Sequence, residues 1–233
     1  NSFLQTYTVA KMLERNKKDT WFNMVDAYLC LTNFAKNKFI EHGLPKNKMY
    51  VKPNFVDVSV ENFTPKENYL IYVGRLEESK GVNLFKTISE KLDIPIKIVG
   101  EGVLKTELEN IPNVELLGKQ SYKNTVSLIQ KARALILPSL WYEGMPMTIL
   151  EAFASKTLVI ASDLGGIQTM IQHQKNGLLF QPNSTEDLLK NIYLGLEDQS
   201  DEMVSNAFLD YQNYYSKEAS YKALMQIYNK VRT

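Results

Sequence analysis

The sequence holds a single cysteine, two histidines and no apolar run long enough to cross a bilayer. Each shortage excludes something. Cys30 alone cannot make a disulfide framework, and with only His42 and His173 beside it no Cys/His zinc pattern is available. Lying in the apolar run Ala27-Tyr28-Leu29-Cys30-Leu31, it reads as a buried strand residue, in keeping with a reducing, cytosolic setting. His42 and His173 stand apart from every motif and read as surface residues. A membrane helix needs about 18 or more consecutive apolar residues, and neither such a run nor a secretory leader is found. A net charge of +1 is too balanced for binding nucleic acid by phosphate neutralisation. There is no Walker A loop and no Gly-x-Ser-x-Gly elbow. No Asp-x-Asp follows a strand, so a metal-held diphosphate has no support. The chain opens on Asn1, which reads as a trimmed or partial chain.

The charge is unevenly spread. Residues 1–52 hold nine Lys/Arg against four Asp/Glu, a local +5, and the remainder is −4. Two readings stay open: a solvated lysine-rich surface, or a basic face turned to an anionic membrane or a lipid-phosphate acceptor.

What is present is a rhythm of short apolar strand, loop and helical pattern. Strands are expected at Tyr69–Val73, Ile94–Val99, Val114–Leu117, Ala134–Leu137, Leu158–Ala161 and Leu178–Phe180. Their near-continuous apolar character suits burial on both faces. Helices are expected near 82–92, 102–110, 121–132, 147–155 and 165–173, with another starting at Ser184 or Thr185. This alternation predicts an α/β fold, a Rossmann-like doubly wound parallel sheet. Residues 1–55 supply one strand (27–31), one helix (33–42) and one strand (49–51), too little for a sheet of their own. The polar stretch 62–68 reads as a linker.

Four loops carry candidate chemistry, each after a strand, where ligands bind in open parallel sheets. The first is Gly74-Arg75 with Lys80-Gly81: a glycine for a close turn, a guanidinium fork and an ammonium suited to phosphate. The alternative is a surface loop with Arg75 and Lys80 paired to Glu77 and Glu78. The second, Gly100-Glu101-Gly102, begins like a dinucleotide fingerprint but has Lys105 in place of the third glycine. The third is Trp141-Tyr142-Glu143-Gly144-Met145-Pro146-Met147-Thr148-Ile149-Leu150-Glu151. It offers two carboxylates and the free amides of a helix start, which suit sugar hydroxyls and a diphosphate. Thr148-x-x-Glu151 is equally a capping box, and the two readings compete for the same carboxylate. The fourth is Asp163-Leu164-Gly165-Gly166, a close approach to a ligand or loop, or a plain turn.

In this order, with Pro138-Ser139 and Asn176-Gly177-Leu178-Leu179 added, the motifs resemble the carboxyl half of the retaining GT-B glycosyltransferases. The likeness is to the family-4 type, which includes bacterial capsule and lipopolysaccharide enzymes. It covers about residues 70–182, and Glu143-x7-Glu151 is its most specific part. Residues 25–28 and 52–55 resemble the end of that family's amino half and its crossover. The resemblance implies catalytic roles for Arg75, Lys80 and Glu143. The cations would hold the donor diphosphate in place of a metal ion, and Glu143 would orient the sugar. Gly74, Gly100, Gly102, Gly144, Met145, Pro146, Met147 and Glu151 would line the donor site, with Glu151 on the ribose and Glu101 and Gly118-Lys119 near the nucleoside.

The resemblance further implies a UDP-, GDP- or ADP-sugar donor, a glycan or lipid-linked acceptor, no cofactor and no metal. It places the protein in the cytoplasm, at the inner face of the membrane if the basic segment touches it. One departure stands out: the family reads Gly-Gly-x-Pro-Glu where this chain has Gly165-Gly166-Ile167-Gln168-Thr169. The implied organisation is an acceptor-half remnant (1–55), a linker (56–68), a donor-binding domain (69–200) and carboxyl-terminal helices packing back (201–233). Such a half-enzyme is expected to bind donor weakly and turn over little. The rival readings are a non-catalytic nucleotide-sugar-binding module and a phosphorylase-like enzyme, with an oxidoreductase disfavoured by Lys105.

Overall fold

The computed structural model describes residues 3–58, 65–197 and 200–232. The chain opens with α1 (Phe3–Asn16), none of whose residues is buried. β1 (Tyr28–Cys30), α2 (Asn33–Glu41) and β2 (Met49–Val51) follow. The expectation that this segment makes no sheet is corrected: β1 and β2 pair in parallel, Tyr28 opposite Met49. Thr32 caps α2 by accepting from the Ala35 N–H, a preferred role for a threonine before a helix. Cys30 is buried as expected, and both histidines are exposed.

The main domain runs β3 (Leu70–Val73), α3 (Leu84–Ser89), β4 (Ile96–Val99), α4 (Lys105–Leu108), β5 (Val114–Gly118), α5 (Tyr122–Lys131) and β6 (Ala134–Leu137). It continues with α6 (Met147–Ala154), β7 (Leu158–Ser162), β8 (Leu178–Phe180), α7 (Thr185–Leu196), α8 (Ser200–Asp210) and α9 (Lys217–Arg232). The six strands β3–β8 form one parallel sheet in the order β5-β4-β3-β6-β7-β8. The strand order reverses between β3 and β6, the topological switch point outside which ligands bind.

Side chains alternate across the sheet and build a core on each face. Leu70, Tyr72, Ile136 and Ile160 pack with Phe85, Ile88 and Ile192 on one side. Ile71, Leu135, Val159 and Ala161 pack with Ile149, Phe153 and Ile129 on the other. Each fully buried Leu, Ile or Phe contributes about 1.5–3 kcal/mol relative to exposure. β6 and β7 are buried along their whole length, which is why they read as unbroken apolar runs.

Helix boundaries follow local chemistry. Ser121 and Ser184 cap α5 and α7, accepting from the N–H of Asn124 and Asp187. The helix expected at 102–110 shrinks to α4, because Gly102 is held against Leu76 and Asn110 and Asn113 take left-handed backbone conformations. The one expected at 165–173 is corrected to a single 3₁₀ turn, Ile167–Thr169. Gly165 there is left-handed, and the Gly166 N–H is spent on the Glu143 carbonyl.

Of the expected linker (56–68), residues 59–64 lie outside the described residues, whereas Lys66 and Glu67 are tied to the domain. Lys66 Nζ donates to the Gln130 carbonyl and to Thr157 Oγ1, and Glu67 N–H donates to the Lys131 carbonyl. The aromatic carboxyl-terminal stretch divides: Tyr215 and Ile227 are buried, while Tyr214, Tyr221 and Tyr228 are exposed.

Candidate functional site at the switch point

The loops leaving β3, β4, β6 and β7 are laced together by backbone, and glycine makes the lacing possible. A Cβ at Gly81, whose φ is +68°, would stand 1.8 Å from the Pro138 carbonyl oxygen. Nearby, the Leu140 N–H donates to the Ser79 carbonyl. The β3 and β6 loops are thus in contact across the switch point. A Cβ on Gly100 would meet the Gly74 carbonyl oxygen, and one on Gly102 the Leu76 carbonyl oxygen. A Cβ on Gly166 would meet the carbonyls of Glu143 and Gly144. Gly100, Gly102 and Gly166 therefore serve contact between loops. Gly144 is different: nothing lies within 4 Å of the position its Cβ would take.

Across this lacing, Lys80 Nζ reaches Glu143 Oε1 at 2.6 Å. The pair is mostly buried, with 21% and 17% of the side chains exposed. Lys80 therefore passes over Glu78 for a carboxylate 63 positions away. Ser139 Oγ, fully buried, donates to the same Oε1 at 2.8 Å. Arg75 keeps to its own loop: it pairs with Glu77 at 3.0 Å and leaves 72% of its side chain exposed. Ser79 Oγ holds the other Glu77 oxygen.

Glu151 decides between its two readings. The residue before α6 is Pro146, and no side chain caps the helix. Thr148 is thus inside the helix and the capping box does not form. Glu151 is 7% exposed as a residue, and among the described residues no donor reaches its carboxylate, whose oxygens are not fully buried. Burial raises its pKa above the ordinary value. A largely desolvated carboxylate without a protein donor is costly, and hydroxyl or amide partners would relieve it.

The start of α6 supplies the complementary feature. No described residue accepts from the N–H of Gly144, Met145, Met147 or Thr148. These donors sit at the positive end of the helix dipole, where anions are stabilised. Lys80 and Glu143 thus meet across the switch point, and Gly144, Met147 and Glu151 follow Glu143 on its loop and the first turns of α6. Among the described residues no group of three or more His, Cys, Asp or Glu comes together to hold a metal ion.

Sequence reasoning quoted Ser139 without giving it a role, and passed over Tyr122 altogether. Tyr122 opens α5, and its hydroxyl pKa is raised by burial first and by the Glu151 charge second. A tyrosine one position past a serine cap carries no motif, so only the fold brings it near Glu151. The turn that departs from the resembling pattern closes on itself: Thr169 Oγ1 donates to the Gly166 carbonyl and Gln168 Nε2 to that of Asp163.

The amino-terminal segment touches the loop between β6 and α6. The Asn54 N–H donates to Met145 Sδ at 3.3 Å, and Phe34 packs on Tyr142 with ring centroids 5.1 Å apart. Between the segment and the main domain opens a cavity of about 310 Å³, lined by Thr32, Asn33, Met145, Met170, Asp210 and Tyr214 among others.

Known proteins resemble the chain in sequence and in fold. The chain is 28% identical over 212 residues to an uncharacterised glycosyltransferase of Methanocaldococcus jannaschii, covering 88% of this chain and 59% of that protein. It is also 28% identical over 210 residues to an α-1,4-N-acetyl-D-galactosaminyltransferase of Campylobacter jejuni, covering 82% of this chain and 58% of the relative. It therefore spans less than two thirds of these relatives. Among solved structures, a lipopolysaccharide outer core galactosyltransferase superposes with a TM-score of 0.74 at 23% identity, over 88% of this chain and 62% of the other. Anabaena HepE in complex with UDP-glucose superposes with a TM-score of 0.75 at 17% identity, over 96% and 67%. At such identities the likeness is one of fold. The family model described as glycosyl transferases group 1 matches residues 56–210, the stretch that contains all of these loops, and the chain belongs to that family.

Proposed function

We propose that this chain binds the donor of a retaining, metal-independent hexosyltransferase, and that the crevice between β3 and β6 takes a nucleoside diphosphate sugar. The observation that carries the reading is Glu151, a mostly buried residue to whose carboxylate no described residue donates, one turn into a helix whose first amides have no described acceptor. A ribose diol satisfies the carboxylate, and a diphosphate satisfies the amides. Lys80 and Arg75 supply the positive charge that a metal ion would otherwise bring. As the bond between the sugar's anomeric carbon and the phosphate oxygen breaks, negative charge grows on the departing nucleoside diphosphate. Cations fixed beside it stabilise that charge more in the transition state than in the ground state. Glu143, on the far side of Lys80, accepts from hydroxyls of the transferred sugar. The retaining outcome rests on the family resemblance.

The acceptor in this reading is a glycan or a lipid-linked saccharide of surface polysaccharide synthesis. The Campylobacter relative is named for an undecaprenol-linked substrate. The local charge of +5 in residues 1–52 suits an anionic bilayer surface, on its cytoplasmic side. Residues 1–55 form the acceptor-side segment of the same reading, 69–200 the donor-binding domain, and 201–233 the helices that return towards that segment.

The test is calorimetric titration of the chain with UDP, GDP and ADP in the absence of metal, repeated on Glu151→Ala and Arg75→Ala. Selective binding of one nucleotide, weakened about tenfold or more by the loss of Glu151, is the expected result. Binding of none, or binding indifferent to Glu151, overturns the reading.

A further inference from the structure

Glu143 receives two hydrogen bonds, and both fall on the same oxygen. Lys80 Nζ and Ser139 Oγ reach Oε1 at 2.6 and 2.8 Å, and no described residue donates to Oε2. The two donors are built differently. Lys80 sits at the end of a four-carbon stem in the loop after β3 and retains some exposure. Ser139 is fully buried two residues beyond β6. Its neighbours are fixed on both sides: the Pro138 carbonyl is wedged against Gly81, and the Leu140 N–H is bonded to Ser79. The Glu143 backbone is fixed as well, since its carbonyl accepts from the Gly166 N–H at 2.9 Å.

Resting on the donor reading above, we infer that Ser139 is the positioning residue for Glu143 once a donor is bound. A diphosphate draws the Lys80 ammonium away from Glu143, because a dianion is the stronger partner. The Ser139 hydroxyl does not follow, being fully buried with Glu143 as its one acceptor among the described residues. Oε1 stays tethered, the carboxylate keeps its plane, and Oε2 faces the sugar as an unspent acceptor. Ser139 touches no substrate in this scheme. It sets the orientation through which Glu143 tells a nucleotide sugar from the bare nucleoside diphosphate.

The experiment compares the wild-type chain with Ser139→Ala by calorimetry, using UDP, GDP, ADP and their sugar conjugates UDP-glucose, GDP-mannose and ADP-glucose. The expected result is that wild type binds one conjugate more tightly than its parent nucleotide. Ser139→Ala should bind the parent nucleotide within about twofold of wild type, while the preference for the conjugate falls about fivefold to tenfold, as for loss of one typical hydrogen bond. Ser139→Thr, which restores the hydroxyl, should recover the preference. On a Glu143→Ala background, Ser139→Ala should have no further effect, which a merely structural serine would not produce.

Should Ser139→Ala fail to fold, Ser139→Cys carries the same comparison, with a weak donor of similar volume. If wild type binds none of the six ligands, the donor reading falls and this inference with it. If wild type binds but shows no preference for a conjugate, or Ser139→Ala weakens conjugate and parent equally or neither, this inference alone is overturned.

Discussion

Lys80 and Glu143 are joined at 2.6 Å across the switch point, so the cation that the proposed donor reading sets against a diphosphate is held by a carboxylate. A mostly buried pair of this kind is worth about 1 kcal/mol net, since the attraction is offset by desolvation. Any diphosphate that recruits Lys80 must first break it. Glu143→Gln should therefore tighten a bare nucleoside diphosphate by about fivefold, while Lys80→Ala weakens it tenfold or more. Calorimetric titration of both variants reads this directly. A Glu143→Gln chain that binds nucleotide more weakly than wild type would show that the pair preorganises Lys80 rather than competing for it.

Glu151 sets stability against binding. Burial raises its carboxyl pKa above the ordinary value of 4.5. The unfolded chain gives up this proton more readily than the folded one, so the folded state binds more protons over the intervening range. The contribution to stability is full below the unfolded pKa and is lost as pH rises through the raised folded value. At neutral pH the ionised group therefore costs stability. Glu151→Gln should raise Tm at pH 7, with an advantage that shrinks as pH falls towards 4.5. The same change should weaken nucleotide binding about tenfold. A Tm difference that is the same at both pH values would show that Glu151 is not held ionised against its environment.

Two glycines in the switch-point loops should respond in opposite ways to the same methyl group. At Gly81 an alanine Cβ would stand 1.8 Å from the Pro138 carbonyl oxygen, and φ is +68°. The β3 and β6 loops would have to part, so Gly81→Ala should cost about 2 kcal/mol or more. At Gly144 nothing lies within 4 Å, and φ is not in the left-handed region. Gly144→Ala should leave stability within about 0.5 kcal/mol, so any loss of nucleotide affinity there reports the ligand itself. Urea unfolding of the two variants, with nucleotide titration of Gly144→Ala, separates them.

The central strands are readable because they are buried on both faces, whereas β5, at the sheet's edge, buries none of its residues and departs from the burial expected of it. Ala134–Leu137 and Leu178–Phe180 are apolar from end to end, and their bounds coincide with the expected ones. Glycine punctuation misled where its purpose was contact between loops. Gly165-Gly166 looked like the opening of a helix, yet the second glycine is taken up by Glu143, a contact that spans sequence and leaves no local mark. Thr148-x-x-Glu151 matched a capping box by spacing alone. Pro146, with its fixed φ, begins the helix two residues earlier and removes Thr148 from the cap position. Helix α1 is absent from the expected elements, and none of its residues is buried. The pairing of Lys80 with Glu143 rather than Glu78 depends on which strands are neighbours, so no local reading of the loop contains it.

Asn176 offers a test of how the far end of the domain is held. It is 2% exposed, and its amide is fully used. Oδ1 accepts from the Gln172 N–H at 2.7 Å, and Nδ2 donates to the Met170 carbonyl at 3.1 Å and to Asp210 Oδ2 at 2.7 Å. One side chain thus closes the turn before β8 and fastens it to the end of α8. Asn176→Ala strands a buried amide and a carbonyl, at a cost of about 2–4 kcal/mol. Asn176→Asp keeps the size and the Oδ1 acceptor but replaces the donor with a second acceptor facing Asp210. Two carboxylates at that separation cannot both stay ionised without large repulsion, and one of them retains a proton. Asn176→Asp should therefore be markedly less stable than wild type at pH 7 and recover part of the difference at pH 4, where a shared proton restores the hydrogen bond. Urea unfolding at the two pH values checks it. An Asp variant as stable as wild type at pH 7 would mean that Asp210 swings away to solvent, and that the turn before β8 stands without its anchor on α8.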